Sequence, residues 1–281
     1  MSEDTGPLEF WEEWRVVRLL NVGGCAEVWQ IEHRDSGEFI ALKLFKNEAW
    51  IDEHHTHELA ACRELLLLGL LLRCEDLIVE HPMQRSVEHR ALMLEYRAGP
   101  DLFDWLSSPL TNVPAFTSQP AQVWELLRAC CSELRRFHSA GLTHGDVKPE
   151  NWIVCKEASF RTMQLVDFGY CQPSSEPLRH RFVGTIGYTA PEWLPQRIDY
   201  SAPLAQSLDI FALGSTMFAL LTAAPVYDQI GASRYEWFDV QSEFYPDDPA
   251  LEALLRRMVS TEPAERPTCA EILRIASAHC E

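Results

Sequence analysis

The hydrophobic period of this chain passes from mainly strand-like to mainly helical at Gly99–Pro100, and that change restricts the fold more than any other feature of the sequence. Before it, WRVVRLL, AEVWQIEH and FIALKLF alternate as half-buried strands do, and the intervening DSGE carries turn-forming Asp, Ser and Gly. From about Glu48 to Leu72 the chain is rich in Leu, Ala and Glu and poor in β-branched residues, which predicts a helix. Two shorter strands are expected around His81–Val87 and Ala91–Tyr96. Beyond the break the clearest stretches are helical: Gln119–Ala140, Leu208–Leu221 and Pro249–Ser260. The pattern predicts an α+β fold. A small β-rich part with one main helix (residues 1–96) precedes a larger, mainly helical part (residues 97–281).

Composition narrows the function classes. The 281 residues are 47% hydrophobic and 23% charged, enough to bury a sizeable core. A formal net charge of −18 disfavours nucleic-acid binding, which needs clustered Lys and Arg. The opening MSEDTGPLEF lacks the basic-then-apolar profile of a leader. Leu65–Leu72, the most apolar run, is broken by Gly69 and is too short to cross a bilayer. Nine scattered cysteines without CxxC spacing suit reduced thiols better than a disulfide framework or a zinc site. The expectation is a soluble cytoplasmic protein, nuclear access left open, with no nucleic-acid or membrane partner.

Chemistry concentrates in His144-Gly145-Asp146-Val147-Lys148-Pro149-Glu150-Asn151. Asp146, Lys148 and Asn151 share one short loop between a helix and the apolar run WIV. Phosphoryl transfer asks for such a set: a carboxylate to orient a hydroxyl, a cation for developing charge, and an amide oxygen for a metal. Some sixteen residues later, Leu165-Val166-Asp167-Phe168-Gly169 ends an apolar strand in a second carboxylate. Asp167 and Asn151 together offer the oxygen ligands that Mg²⁺ prefers.

The loop resembles the catalytic loop of eukaryotic-type protein kinases, whose usual form is HRDLKPEN. Asp167-Phe168-Gly169 resembles the metal-binding triplet of that family, and Ala190-Pro191-Glu192 the end of its activation segment. Ile40-Ala41-Leu42-Lys43 resembles the strand whose lysine grips the α- and β-phosphates. The four motifs stand in register from Ile40 to Glu192. The resemblance implies a bilobal protein kinase fold, ATP and Mg²⁺, and transfer of the γ-phosphate to Ser/Thr hydroxyls of a protein substrate. Lys148 and Thr185 place the likeness with serine/threonine rather than tyrosine kinases.

Residue roles follow from the resemblance. Asp146 would align the hydroxyl, Lys148 would stabilise the γ-phosphoryl, and Asn151 with Asp167 would hold the metal. Lys43 and Ala41 lie two apart on one strand and so share a face. Lys43 needs a helix carboxylate, and counting towards a strand start at Leu77-Ile78-Val79 favours Glu64 over Glu58. Val28 and Ala41 would roof the adenine, Ile153 would form its floor, and Leu94 would control access behind it. Glu95 and Arg97 would offer backbone hydrogen bonds. Asp101 would contact the ribose or cap a helix. Val22, Gly23 and Gly24 belong to the phosphate-covering turn. Asp209 would brace the catalytic loop, and Arg266 would pair with Glu192.

The pattern departs from the family twice. Asn21-Val22-Gly23-Gly24-Cys25-Ala26 keeps only the middle glycine of GxGxxG, although Asn and Ala leave the turn feasible. Gly145 replaces the arginine that receives a phosphorylated activation-loop residue, so activity is expected not to depend on such phosphorylation. Two other readings stand beside the kinase: a pseudokinase scaffold that binds nucleotide or partners without turnover, and a small-molecule kinase of the aminoglycoside or choline type. The latter share HGD but usually lack Lys148, the DFG glycine and the APE segment. A regulatory partner is left open. The run His54-His55-Thr56-His57 reads as solvated, as does the acidic segment Glu243–Asp248.

Overall fold

The computed structural model describes residues 7–47, 51–69, 71–107, 119–155, 162–176, 184–193, 205–222, 227–229, 235–237 and 248–280. The chain forms two compact units, Met1–Arg97 and Ala98–Glu281, a division one residue beyond the one expected. The first is β-rich and the second mainly helical, so the α+β class expected from the sequence holds.

In the first unit, five antiparallel strands run in the order β1-β2-β3-β5-β4. They are β1 (Trp14–Val22), β2 (Ala26–His33), β3 (Phe39–Phe45), β4 (Cys74–His81) and β5 (Gln84–Glu95). Segment His81–Val87, expected as one strand, holds the last residue of β4, a two-residue turn at Pro82 and Met83, and the start of β5, which runs on through the second expected strand. Alternation along β3 divides the core. Ile40, Leu42 and Leu44 pack with Phe10, Trp11 and Trp14, whereas Phe45 packs with Ile51 and Leu59. Phe10 and Trp11 come from α1 (Pro7–Glu13), and Ile51 and Leu59 from α2 (Ile51–Leu67), so the sheet is covered on both faces. The Trp11 indole donates to Glu80 O at 3.0 Å, which fixes α1 on the sheet. Helix α1 has no counterpart in the sequence reading.

The second unit is built on helices α3 (Leu102–Ser107), α4 (Pro120–Ser139), α5 (Ala205–Thr222), α6 (Pro249–Met258) and α7 (Cys269–Ser277). Buried Val123, Leu127, Cys130, Leu134 and Phe137 recur at helical spacing along α4 and form its inward stripe. Helix α5 is apolar on nearly every side and buried on nearly every side. Its eighteen residues would be long enough for a membrane, but 67% of them lie inside the protein, as a core helix requires. Gly214 lets α6 come close, since a Cβ there would stand 2.8 Å from Met258 Cβ. Caps end the helices where the sequence dictates. Asp248 accepts from the amides of Ala250 and Leu251, and Thr268 accepts from Glu271, a T-x-x-E start. Asp248 also accepts from the Trp124 indole at 2.7 Å, joining α4 to the head of α6.

Short strand pairs complete this unit: β6 (Leu142–Thr143) with β9 (Gln172–Pro173), and β7 (Trp152–Val154) with β8 (Met163–Leu165). Strands β10 (Tyr227–Gln229) and β11 (Tyr235–Trp237) also pair. Most of the acidic segment Glu243–Asp248, residues 243–247, lies outside the described residues.

Candidate active site

In the first unit, β3 carries Lys43 beneath α2, and its Nζ reaches both Oε1 and Oε2 of Glu58 at 2.7 Å. Side-chain exposures of 10% and 2% make this a buried ion pair. Glu58, not Glu64, is therefore the helix carboxylate, which corrects the sequence expectation. Two physical facts explain the difference. The inward stripe of α2 runs through Ile51, His55, Glu58, Cys62 and Leu65, and Glu64 stands six residues on, about 240° round the helix. Strand β4 also starts at Cys74, three residues before Leu77, so the forward count began too late.

Cross-strand pairing aligns further expected residues with Lys43. Val28 lies opposite Lys43 and Leu94 opposite Ala41, so all four side chains share one face of the sheet. The β1–β2 turn closes through Gly23 N to Ala26 O at 2.8 Å, and Lys46 Nζ donates to Gly23 O at 2.8 Å. Val22, Gly23 and Gly24 are exposed on that turn. The Glu95 and Arg97 side chains form an ion pair with each other. His55 departs from expectation. It is 1% exposed, donates from Nε2 to Asp76 Oδ1 at 2.9 Å, and has its pKa lowered by burial despite that carboxylate.

In the second unit, a loop between β6 and β7 carries the reactive set. Asp209, buried on α5, accepts from His144 N at 2.8 Å through Oδ2 and from Gly145 N at 2.9 Å through Oδ1. That anchor leaves Asp146 only 4% exposed. Its Oδ1 accepts from both the amide and the hydroxyl of Thr185, each at 2.8 Å. Its Oδ2 meets Lys148 Nζ at 2.8 Å and Asn151 Nδ2 at 3.1 Å. Lys148 also donates to Thr185 Oγ1 at 2.7 Å. Burial disfavours the Lys148 ammonium, but the charge and hydrogen bond of Asp146 outweigh it and raise its pKa. Thr185, which the resemblance offered only as a mark of serine/threonine kinases, gives the loop's carboxylate two of its hydrogen bonds.

The β7–β8 ladder brings the second carboxylate to this loop. Trp152 pairs with Leu165, and Val166 N donates to Asn151 O at 3.0 Å, so Asn151 and Asp167 end the same ladder. Asp167 has φ 65°, the only positive value at a non-glycine among the described residues. Strain of this kind gathers at functional sites and costs on the order of 1–3 kcal/mol. The following Phe168 is buried and stacks on Phe137, with centroids 6.0 Å apart. Asn151 Nδ2 is committed to Asp146, at its carbonyl and at Oδ2, which leaves the amide oxygen as an acceptor. A carboxylate and an amide oxygen at one ladder end fit a hard divalent cation such as Mg²⁺.

Asp101 and Ile153 form an isolated bridge, and Asp101 Oδ1 accepts from Asp104 N at 2.7 Å as the cap of α3. Arg266 holds Glu192 through two bonds of 2.6 and 2.7 Å and packs over Phe211, as the sequence led us to expect.

The description "Protein kinase domain" matches residues 14–276. Similar curated proteins include the serine/threonine-protein kinase grp of Drosophila melanogaster, 28% identical over 96% of this chain and 52% of that protein. PkaA of Streptomyces coelicolor, a serine/threonine-protein kinase, is 27% identical over 91% of this chain and 48% of its own length. Human calcium/calmodulin-dependent protein kinase type 1B is 26% identical over 93% of this chain and 74% of its own. The chain spans about half the length of the first two of these relatives.

Proposed function

The chain belongs to the protein kinase domain family, and we propose that it transfers the γ-phosphate of ATP to serine or threonine hydroxyls of a protein substrate. The observation that carries this reading is the state of Asp146. It is buried and contacted by Thr185, Lys148 and Asn151 at 2.8–3.1 Å. A carboxylate so held has a fixed orientation in the loop, as a group that is to align a hydroxyl and take its proton requires.

Protein kinases generally use ATP and Mg²⁺, and here Asn151 and Asp167 would hold the metal. Bound there, Mg²⁺ would neutralise phosphate charge. The protein's own residues do the positioning. Lys43, fixed by Glu58, presents an ammonium to the phosphates. Asp146 orients the incoming hydroxyl and accepts its proton, for which one of its present partners, Thr185 Oγ1 or Lys148, gives way. Lys148, with a raised pKa, stays charged at neutral pH and meets the charge that develops on the transferred group. Little covalent chemistry is asked of the protein, and orientation with electrostatics supplies most of the acceleration.

Incubation with γ-labelled ATP, Mg²⁺ and a generic basic protein, followed by phosphoamino-acid separation, tests the proposal. Label on phosphoserine or phosphothreonine is expected. Nucleotide binding without label transfer would support a scaffold instead, and transfer to a small alcohol alone would support a small-molecule kinase.

A further inference from the structure

Behind the loop, the second unit contains a buried row of titratable groups that the phosphoryl transfer does not use. Cys131 and His138 stand on α4, Asp209 on α5 and Cys269 at the start of α7. Cys131 Sγ points to Cys269 O at 3.5 Å. Cys269 Sγ lies 3.4 Å from His138 Nδ1, and His138 Nε2 lies 3.0 Å from Asp209 Oδ2. That same Asp209 carboxylate takes the amides of His144 and Gly145. A continuous chain of contacts therefore runs from the α4–α7 contact to the backbone beside Asp146. Both thiols are buried, at 0% and 3% exposure.

We propose that Cys269 is a positioning residue for the catalytic loop, its thiolate holding His138 as an imidazolium that braces Asp209 against the His144 and Gly145 amides. The proposal rests on the kinase reading only for its effect on turnover; the ion pair itself does not.

Charge counting supports the assignment. Asp209 already accepts two backbone amides, and a buried carboxylate at 1% exposure needs a cation or further donors to remain ionised. His138 is the group placed to supply one. Its second nitrogen then has a hydrogen to give, and the atom that receives it is sulfur. Transfer of the Cys269 proton to His138 Nδ1 breaks the S–H bond and forms an N–H bond, with the proton count of the row unchanged. Burial alone would discharge His138, but its bonds to Asp209 and then to Cys269 push it up to about 9. For Cys269, the hydrogen bond from Cys131 comes first and that with His138 follows, bringing the thiol down to about 6 against the effect of burial. Cys131 moves the opposite way, well above its ordinary value, as befits the donor of the pair. Cys130 and Arg135 also face Cys131, the first raising and the second lowering it, and Asp209 opposes the Cys269 thiolate by like charge.

The signs define a window. Cys269 is depressed, so its charge is lost as pH falls through about 6; His138 is raised, so its charge is lost as pH rises through about 9. Removing the thiolate removes two of the influences that raise His138 and moves the upper edge of the window down.

Thiolate ultraviolet absorbance of the native full chain, titrated against the Cys269→Ser variant, reads the ion pair without reference to activity. The wild type should show a step centred near pH 6 that Cys269→Ser lacks and that Cys131→Ala shifts to higher pH. The kcat–pH profile reads the positioning role. If His138 falls by one unit, Cys269→Ser should lose on the order of threefold in kcat midway between the wild-type and the variant upper edges, with KM for ATP unchanged and the acid side unaffected. A wild-type thiolate step only in the ordinary thiol range would overturn the ion pair. Superimposable kcat profiles would overturn the positioning role. A variant that fails to fold is replaced by Cys131→Ala, whose displaced step decides the first question alone.

Discussion

Lys43 and Glu58, fifteen residues apart in sequence, meet in a two-pronged ion pair with both contacts at 2.7 Å. The pair lies inside the first unit, so its energetics follow from burial rather than from surface charge. Removing one partner leaves the other charged and dry, a change that costs about 3–5 kcal/mol. Glu58→Ala should therefore lower both stability and kcat, the latter by roughly two orders of magnitude through misplacement of Lys43. Glu64→Ala should change neither beyond a fewfold effect. Denaturant midpoints and steady-state kinetics on the two variants check this, and equal effects would contradict the assignment.

Gly145 cannot simply be restored to the family's arginine. It has φ +83°, and a Cβ there would stand 2.7 Å from Tyr170 O, backbone that has no easy way to retreat. Gly145→Ala should destabilise the protein by about 1–3 kcal/mol. Gly145→Arg should be at least as costly and should bring no dependence on activation-segment phosphorylation. Urea unfolding and turnover before and after phosphatase treatment measure both outcomes; an Arg variant of undiminished stability would show that the loop can accommodate a side chain.

Helix α1 precedes the matched family region yet covers one face of the sheet. Trp11 is 6% exposed and donates to Glu80 O, so Trp11→Ala should cost about 3–5 kcal/mol. Phe103→Ala, at a site 54% exposed, should stay within about 0.5 kcal/mol. Comparable losses in thermal unfolding would mean that α1 does not contribute to the core.

Much of the second unit's site could be read directly, because Asp146, Lys148, Asn151 and Asp167 lie in short motifs whose spacing is fixed by one loop and one ladder. Arg266 and Glu192 were legible for a different reason: the family resemblance implied their pairing, and the structure shows it. Three features escaped. Choosing Glu58 over Glu64 needed the phase of α2 and the true start of β4, both set by packing against the sheet. Helix α1 has seven residues, too few for a periodic signal to stand out. The contact of Cys269 with His138 joins positions 131 residues apart, and no one-dimensional pattern marks it. Thr185 was visible only as a mark of the serine/threonine likeness, because its two bonds to Asp146 join positions 39 residues apart.

The central claim is that Asp146 carries the proton-accepting step while other residues hold the nucleotide. Single-turnover phosphorylation by Asp146→Ala, paired with ATP titration of the same variant, tests it most directly. The account predicts a loss of about two to four orders of magnitude in the transfer rate with ATP affinity within a fewfold of wild type. Transfer at the wild-type rate, or a loss explained wholly by weakened ATP binding, would contradict it.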